Sequence, residues 1–112
     1  MKPPIIVNEC DSIDRTGPFY VFNTIPGLES YLEPWYVDEP HFIFDSEGMQ
    51  LVITPNGYRV RLAPKEPRSF NAEIARFYFA AFLRASDAGV TDDFTKATLS
   101  ELAEASTRFA TR

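Results

Sequence analysis

Residues 41–63, HFIFDSEGMQLVITPNGYRVRLA, contain three short apolar runs separated by two turn sequences. The turns, Ser46-Glu47-Gly48 and Pro55-Asn56-Gly57, each supply a glycine that can adopt the positive φ of a tight hairpin. Because connections this short join antiparallel neighbours, the stretch predicts an antiparallel meander. Its predicted strands cover residues 41–45, 50–54 and 58–63.

The residue pattern of the meander indicates which faces of the sheet are covered. The third strand alternates between an apolar face, Tyr58, Val60 and Leu62, and a face with Arg59 and Arg61. We expect the arginine face to be partly in solvent. The first strand is apolar throughout 42–44, so we expect it to be central or covered on both sides.

Upstream of the meander, the sequence predicts a strand and a short helix. Phe19-Tyr20-Val21-Phe22 is an aromatic and β-branched run after Gly17-Pro18, which is typical of a strand, and residues 5–7 can pair with it. Thr24 is the predicted N-cap of a helix of about two turns, and Pro34 ends that helix because proline lacks an amide hydrogen.

Downstream, a phenylalanine-rich helix follows the break at 64–67, with Asn71 as its predicted N-cap. Its predicted buried stripe consists of Ile74, Phe77, Tyr78, Ala81, Phe82 and Ala85, with Phe79 and Leu83 beside it. The positions left for water are Glu73, Arg76, Ala80 and Arg84. Gly89 can end this helix, and Thr91 is the predicted cap of a last helix over 92–111.

The length of 112 residues, 45% of them hydrophobic, suits one core, so 1–112 is a predicted single domain. The expected fold class is α+β: an antiparallel sheet of four or five strands, with a short inserted helix and two C-terminal helices packed on it. No apolar stretch approaches the ~20 residues of a membrane span. With a single cysteine, the chain suits a reducing compartment, and we expect a cytoplasmic protein without a membrane partner.

Charge narrows the classes of partner. The net charge of -5 argues against nucleic acid, because binding the phosphate backbone needs a basic face. Residues 1–57 carry nine acids and two bases, whereas 58–112 carry seven acids and nine bases. One cysteine and one histidine do not make a usual zinc site. We therefore expect no metal, no cofactor and a basic protein partner, and the sequence leaves a homo-oligomer open.

The most informative segment is 28–47, in which large rings alternate with acids; we call it the ring-and-acid segment. Its rings are Tyr31, Trp35, Tyr36, Phe42 and Phe44, and its acids include Glu29, Glu33, Asp38, Glu39 and Asp45. Such a mixture suits a basic protein surface. The predicted partner-binding residues are Glu33, Trp35, Tyr36, Asp38 and Glu39. The alternative is that the rings are core and the acids are solvated.

No motif for catalysis stands out. Cys10 and His41 are the only candidates for a thiolate and imidazole pair, and their flanks match no nucleophile motif. Asp45-Ser46-Glu47-Gly48 resembles the start of a calcium loop but lacks the later ligands, so a hairpin turn is favoured. We assign no catalytic residue and no metal ligand, and we do not expect an enzyme.

A strand, a short helix ending in Tyr31-Leu32-Glu33-Pro34, and the hairpin Asp45-Ser46-Glu47-Gly48 follow one another within residues 22–51. This succession resembles a group of small bacterial proteins, some of which are immunity partners of secreted polymorphic toxins. The resemblance implies a non-enzymatic domain that binds and neutralises a cognate toxin, and it carries over no catalytic residue. The chain departs from the pattern at Ile25-Pro26-Gly27, and nothing after Ser69 takes part in the resemblance.

In a second hypothesis, the same rings bind a small-molecule ligand. Rings that line a void between the sheet and the phenylalanine-rich helix would make a small-molecule-binding or regulatory domain, whereas surface rings beside acids favour a protein partner. An enzyme is the third hypothesis. The direction in which the rings point separates the first two.

Overall fold

Five antiparallel strands form one sheet in the computed structural model, which describes residues 1–86 and 94–112. The strands are β1 (Ile5–Asn8), β2 (Phe19–Phe22), β3 (Phe42–Phe44), β4 (Gln50–Asn56) and β5 (Arg59–Pro64). Their order across the sheet is β2-β1-β3-β4-β5. The predicted meander is therefore confirmed, and the central position of β3 confirms the expectation from its apolar pattern.

Both predicted hairpin glycines have positive φ angles, 85° at Gly48 and 65° at Gly57. Asn56 pairs with Arg59, so Gly57 and Tyr58 form the two-residue loop between β4 and β5. A positive φ only at the first loop residue is the pattern of a type II′ turn. Tyr58 was predicted on the buried face, but it belongs to this turn and is 97% exposed.

Within the described residues, three α-helices cover the sheet: α1 (Ile25–Tyr31), α2 (Ala72–Ser86) and α3 (Leu99–Ser106). Short 3₁₀ helices occur at Pro34–Asp38, Phe94–Lys96 and Thr107–Phe109. The predicted caps Thr24 and Asn71 each accept a backbone amide at 3.0 Å. The last helix is shorter than predicted because Thr98 and Glu101 form a capping box at its start. The predicted stop Gly89 and cap Thr91 lie outside the described residues.

The sheet separates two hydrophobic cores. The first core lies under α1 and the segment Pro34–Asp38 and contains Leu28, Leu32 and Ile43. The second lies under α2 and α3 and contains Phe44 and residues of both helices. Neighbouring residues of β3 thus point into different cores, which is why that strand has no polar position.

The buried face of α2 differs from the predicted stripe. Phe77 was assigned to the core but is 39% exposed, whereas Ala80, assigned to water, is buried. Arg76 was also assigned to water, yet its Nε donates to the Ala97 carbonyl at 2.7 Å and its Nη2 to the Phe94 carbonyl at 2.9 Å. The sheet and α3 contact α2 from two sides, so the buried arc is shifted toward Ala75 and Phe79.

Both edges of the sheet are partly occupied. At the outer edge of β2, Thr111 N donates to Val21 O at 2.7 Å and Asn23 N donates to Arg112 O at 2.7 Å. At the outer edge of β5, Leu62 N donates to a Glu29 carboxylate oxygen of α1 at 2.8 Å. Amides of alternate residues in a strand point to the same side, so the next outward position after Leu62 is Pro64. Proline has no amide hydrogen to offer there.

Candidate functional site: an aromatic pocket between sheet and helix

An open hollow of about 260 Å³ lies where the ends of β1 and β2 meet α1 and the segment Pro34–Asp38. It is lined by Glu9, Tyr20, Tyr31, Leu32, Glu33, Trp35 and Tyr36, and we call it the aromatic pocket. It lies on the face of α1, opposite α2, and not between the sheet and the phenylalanine-rich helix, where the second hypothesis places a void. Its lining combines four rings with two carboxylates.

Three of the five predicted partner-binding residues meet in this pocket. Glu33, Trp35 and Tyr36 line it, whereas Asp38 and Glu39 are exposed outside it. Sequence reasoning missed Glu9, which directly follows β1, and Tyr20, which belongs to β2. The signal for Tyr20 is its pairing with Val7 across the β1 and β2 ladder, which puts its ring on the face of the first core.

Trp35 is the most exposed ring of the pocket at 59%. Its indole Nε1 donates to a Glu33 carboxylate oxygen at 2.6 Å. Its ring meets Tyr36 edge on, with the ring centroids 5.9 Å apart. The indole is therefore oriented by a hydrogen bond and a ring contact while most of its surface faces solvent.

Tyr36 is the buried counterpart, only 4% exposed. Its ring stacks on His41 at 5.3 Å between centroids, and its hydroxyl has no hydrogen-bond partner among the described residues. His41 Nδ1 lies 2.6 Å from the Glu39 carbonyl and must carry a proton there, because a carbonyl can only accept. Burial raises the pKa of Tyr36 well above its ordinary value, and the nearby Glu9 carboxylate makes a smaller contribution in the same direction.

Negative charge dominates the pocket. Burial and the charge of Glu9 also raise the pKa of Tyr20, so one carboxylate acts on two tyrosine hydroxyls. The lining contains Glu9 and Glu33 but no lysine or arginine. Within the described residues neither carboxylate forms an ion pair. The pocket thus offers ring faces and acceptors to a ligand, and its charge favours a cation.

Other members of the ring-and-acid segment serve the fold. Phe44 belongs to the second core, and Glu29 binds the edge of β5. Asp45 is buried, and its carboxylate accepts the amides of Lys2 at 3.0 Å and of Glu47 and Met49 at 2.9 Å. The alternative interpretation is therefore right for Phe44, which is a core ring, but Glu29 and Asp45 are not solvated acids. Both accept backbone amides, and Asp45 organises the hairpin.

A larger hollow, of about 430 Å³, lies on the other face between the start of the chain and α3. Its lining includes Lys2, Ser46 and Glu47 and has no aromatic ring. The Ser46 hydroxyl donates to the Lys2 carbonyl at 2.8 Å, so polar groups of this lining already satisfy each other. We therefore take the aromatic pocket as the candidate site despite its smaller volume.

The remaining candidates for chemistry contact their sequence neighbours. The Cys10 thiol lies 3.9 Å from an Asp11 carboxylate oxygen, and His41 contacts Tyr36 and Glu39 as described. Residues 1–86 and 94–112 contain no cluster of three or more metal-ligating side chains. No helix in this part of the chain has the length and hydropathy needed to cross a membrane.

Replacing Tyr36 with phenylalanine is expected to leave the free energy of unfolding unchanged or to raise it by about 1 kcal/mol. The substitution removes a buried hydroxyl without a partner, which costs its desolvation in the native protein. It should also reduce the loss of stability at high pH. Above the ordinary tyrosine pKa of about 10, the unfolded chain releases the Tyr36 proton while the folded chain still holds it. The free energy of unfolding therefore falls as pH rises above about 10. Urea unfolding at pH 7 and pH 10.5 measures both effects, and a large loss at pH 7 would contradict them.

The comparisons with known proteins found no matching family model, no matching curated protein and no matching solved structure.

Proposed function

We propose that this domain is a non-enzymatic, cytoplasmic protein-binding module that acts as a bacterial immunity protein and neutralises a cognate toxin. The observation that carries the proposal is Trp35, a large ring that is mostly in solvent yet held in one orientation by Glu33 and Tyr36. Oriented, exposed tryptophan is typical of an interface anchor.

The charges around Trp35 indicate the kind of partner. Glu33, Asp38 and Glu39 are all exposed, lie within four residues of Trp35 in the sequence and carry the same sign of charge. Acids around an aromatic anchor attract a basic surface and raise the rate of association. A toxin domain with a basic surface or cleft fits this arrangement, and blocking that surface would neutralise it.

A small-molecule site is the second candidate, because the aromatic pocket is a real concavity. Its volume of about 260 Å³ is below the roughly 300–1,000 Å³ typical of ligand pockets. One wall is the exposed Trp35, so a bound ligand would keep contact with solvent. These properties suit one side chain of a protein partner better than an enclosed metabolite.

Co-expression with the product of the neighbouring gene, which the proposal expects to be the toxin, tests the proposal. Cells that produce the toxin should survive when the intact protein is present, and the two proteins should copurify. Persistent toxicity at matched expression of soluble protein would overturn the immunity function. Survival without copurification would contradict direct binding.

Trp35→Ala is expected to weaken partner binding by about 2 kcal/mol or more, because it removes an interface anchor. Unfolding stability should change little, since the ring is mostly exposed. Tyr58→Ala is the matched control: another exposed ring, 97% exposed in the hairpin loop, whose loss should not affect binding.

Glu39→Lys is expected to slow association most strongly at low salt, because a charge at the rim acts over long range and is screened by ions. Calorimetry and stopped-flow mixing give the affinity and the rate for both variants. Destabilisation by Trp35→Ala together with an unchanged affinity would favour a purely structural ring.

A further inference from the structure

We propose that the aromatic pocket receives one arginine side chain of the protein partner. This inference rests on the proposed protein-binding function and adds the chemical group that is recognised. Glu9 and Glu33 supply the negative charge, and Tyr20, Tyr31, Trp35 and Tyr36 supply the rings. The occupant is therefore a flat cation that projects from a polypeptide.

The first argument is the match between the donors of arginine and the acceptors of the pocket. A guanidinium group has five N–H donors and no acceptor, and it stacks on aromatic faces. The two carboxylates of the lining have no basic partner among the described residues, and only one Glu33 oxygen is engaged, by the Trp35 indole. A guanidinium would supply donors to these oxygens without competing for the ring contacts.

The second argument is that a ring of this pocket already contacts a guanidinium. Arg112 places its guanidinium carbon 5.4 Å from the centroid of Tyr31. This distance is within the range of a cation–π contact, about 6 Å from the ring centroid. The chain thus uses the affinity of Tyr31 for arginine within its own fold, and the neighbouring rings of the lining offer the same chemistry to a partner.

The third argument is a polar group that lacks a partner. Tyr36 Oη is buried with the Glu9 carboxylate nearby, and it completes no hydrogen bond of normal geometry within the described part of the chain. Buried polar atoms without a partner are uncommon in proteins, and a functional role is one explanation for such an atom. A guanidinium that approaches Glu9 would bring donors into this region and would offset the crowding of negative charge there.

Trp35 makes the test direct, because it is the only tryptophan of the chain and lines the pocket. The probes are the peptide Ac-Gly-Arg-Gly-NH₂, the same peptide with citrulline, the same peptide with lysine, and free L-arginine, at constant ionic strength. Citrulline keeps the shape of arginine without its charge. Indole fluorescence should change saturably with the arginine peptide, and the citrulline peptide should bind at least tenfold more weakly.

We expect lysine to bind more weakly than arginine. Free L-arginine should bind more weakly than its peptide, because its charged α-amino and α-carboxyl groups would have to be desolvated beside the rings, whereas the peptide presents neutral amides there. Glu9→Gln should weaken binding of the arginine peptide about tenfold, whereas the control Glu66→Gln, an exposed acid outside the pocket, should not. Thermal unfolding of both variants checks that they fold. The citrulline comparison needs no variant and therefore holds even if Glu9→Gln is unstable.

Four results would overturn the inference: equal binding of the citrulline peptide, equal or tighter binding of the lysine peptide, tighter binding of free L-arginine, or no saturable change with the arginine peptide. Failure here is distinguishable from failure of the proposed function. If Glu9→Gln still neutralises the toxin but no longer binds arginine, only the inference about the pocket occupant is rejected. If the protein binds arginine selectively but does not neutralise the toxin, only the proposed immunity function is rejected.

Discussion

Replacing Phe79 with alanine is expected to lower the free energy of unfolding by about 3–5 kcal/mol, a large part of the stability of a small domain. The Phe79 ring is fully buried, at 0% exposure, in the second core between the sheet and the C-terminal helices. Its removal loses apolar contacts and leaves a cavity that the surrounding β-sheet cannot easily fill. Urea denaturation followed by circular dichroism measures the change.

Phe77→Ala on the same helix is the matched control. The two residues have the same chemistry and are two positions apart, but Phe77 is partly in solvent and makes a ring contact with Tyr78 at 6.0 Å. We expect it to cost about 1 kcal/mol, as is common for partly exposed positions. Equal losses at the two sites would show that the assigned buried face of α2 is wrong.

The second large effect is expected at Asp45. Asp45→Ala removes the acceptor of three backbone amides, those of Lys2, Glu47 and Met49, and the last of these bonds is buried. A buried donor without a partner costs about 1–3 kcal/mol, so we expect a total loss of about 3–5 kcal/mol. The hairpin between β3 and β4 should loosen together with the start of the chain.

Two variants separate the acceptor role from the charge. Asp45→Asn keeps one acceptor oxygen and should lose less stability than Asp45→Ala. Glu47→Gln changes an exposed acid of the same turn and should be nearly neutral. Hydrogen exchange at the Met49 amide gives a local measurement, and unchanged protection in Asp45→Ala would contradict the assigned hydrogen bonds.

Much of the fold could be predicted because its signals are local. The two hairpin glycines, the caps Thr24 and Asn71, and the alternation of Val60 and Leu62 each depend on a few neighbouring residues. The buried face of α2 could not be predicted in the same way. That helix is apolar around most of its circumference, so the positions of the sheet and α3 decide that Phe77 is partly exposed.

The candidate site was only half predictable for a similar reason. Trp35 and Glu33 are close in sequence, and the mixture of rings and acids identifies them. Glu9 and Tyr20 join the pocket only because β1 pairs antiparallel with β2, so that β1 ends and β2 begins beside the segment Pro34–Asp38. That proximity depends on strand register and on the packing of a helix, neither of which a residue pattern specifies alone.

The partly occupied edges of the sheet limit how this domain can recognise another protein. Many small β-containing domains bind a partner by strand addition, in which an extended peptide joins an open edge through main-chain hydrogen bonds. Here the Thr111 amide and the Arg112 carbonyl take the edge of β2, and Glu29 and Pro64 block that of β5. This arrangement disfavours strand addition, so the proposed recognition of a partner depends on side chains and is sensitive to single substitutions in that partner. Under the proposed function, a toxin could therefore escape recognition by changing one residue, and this domain could restore it by changing one ring.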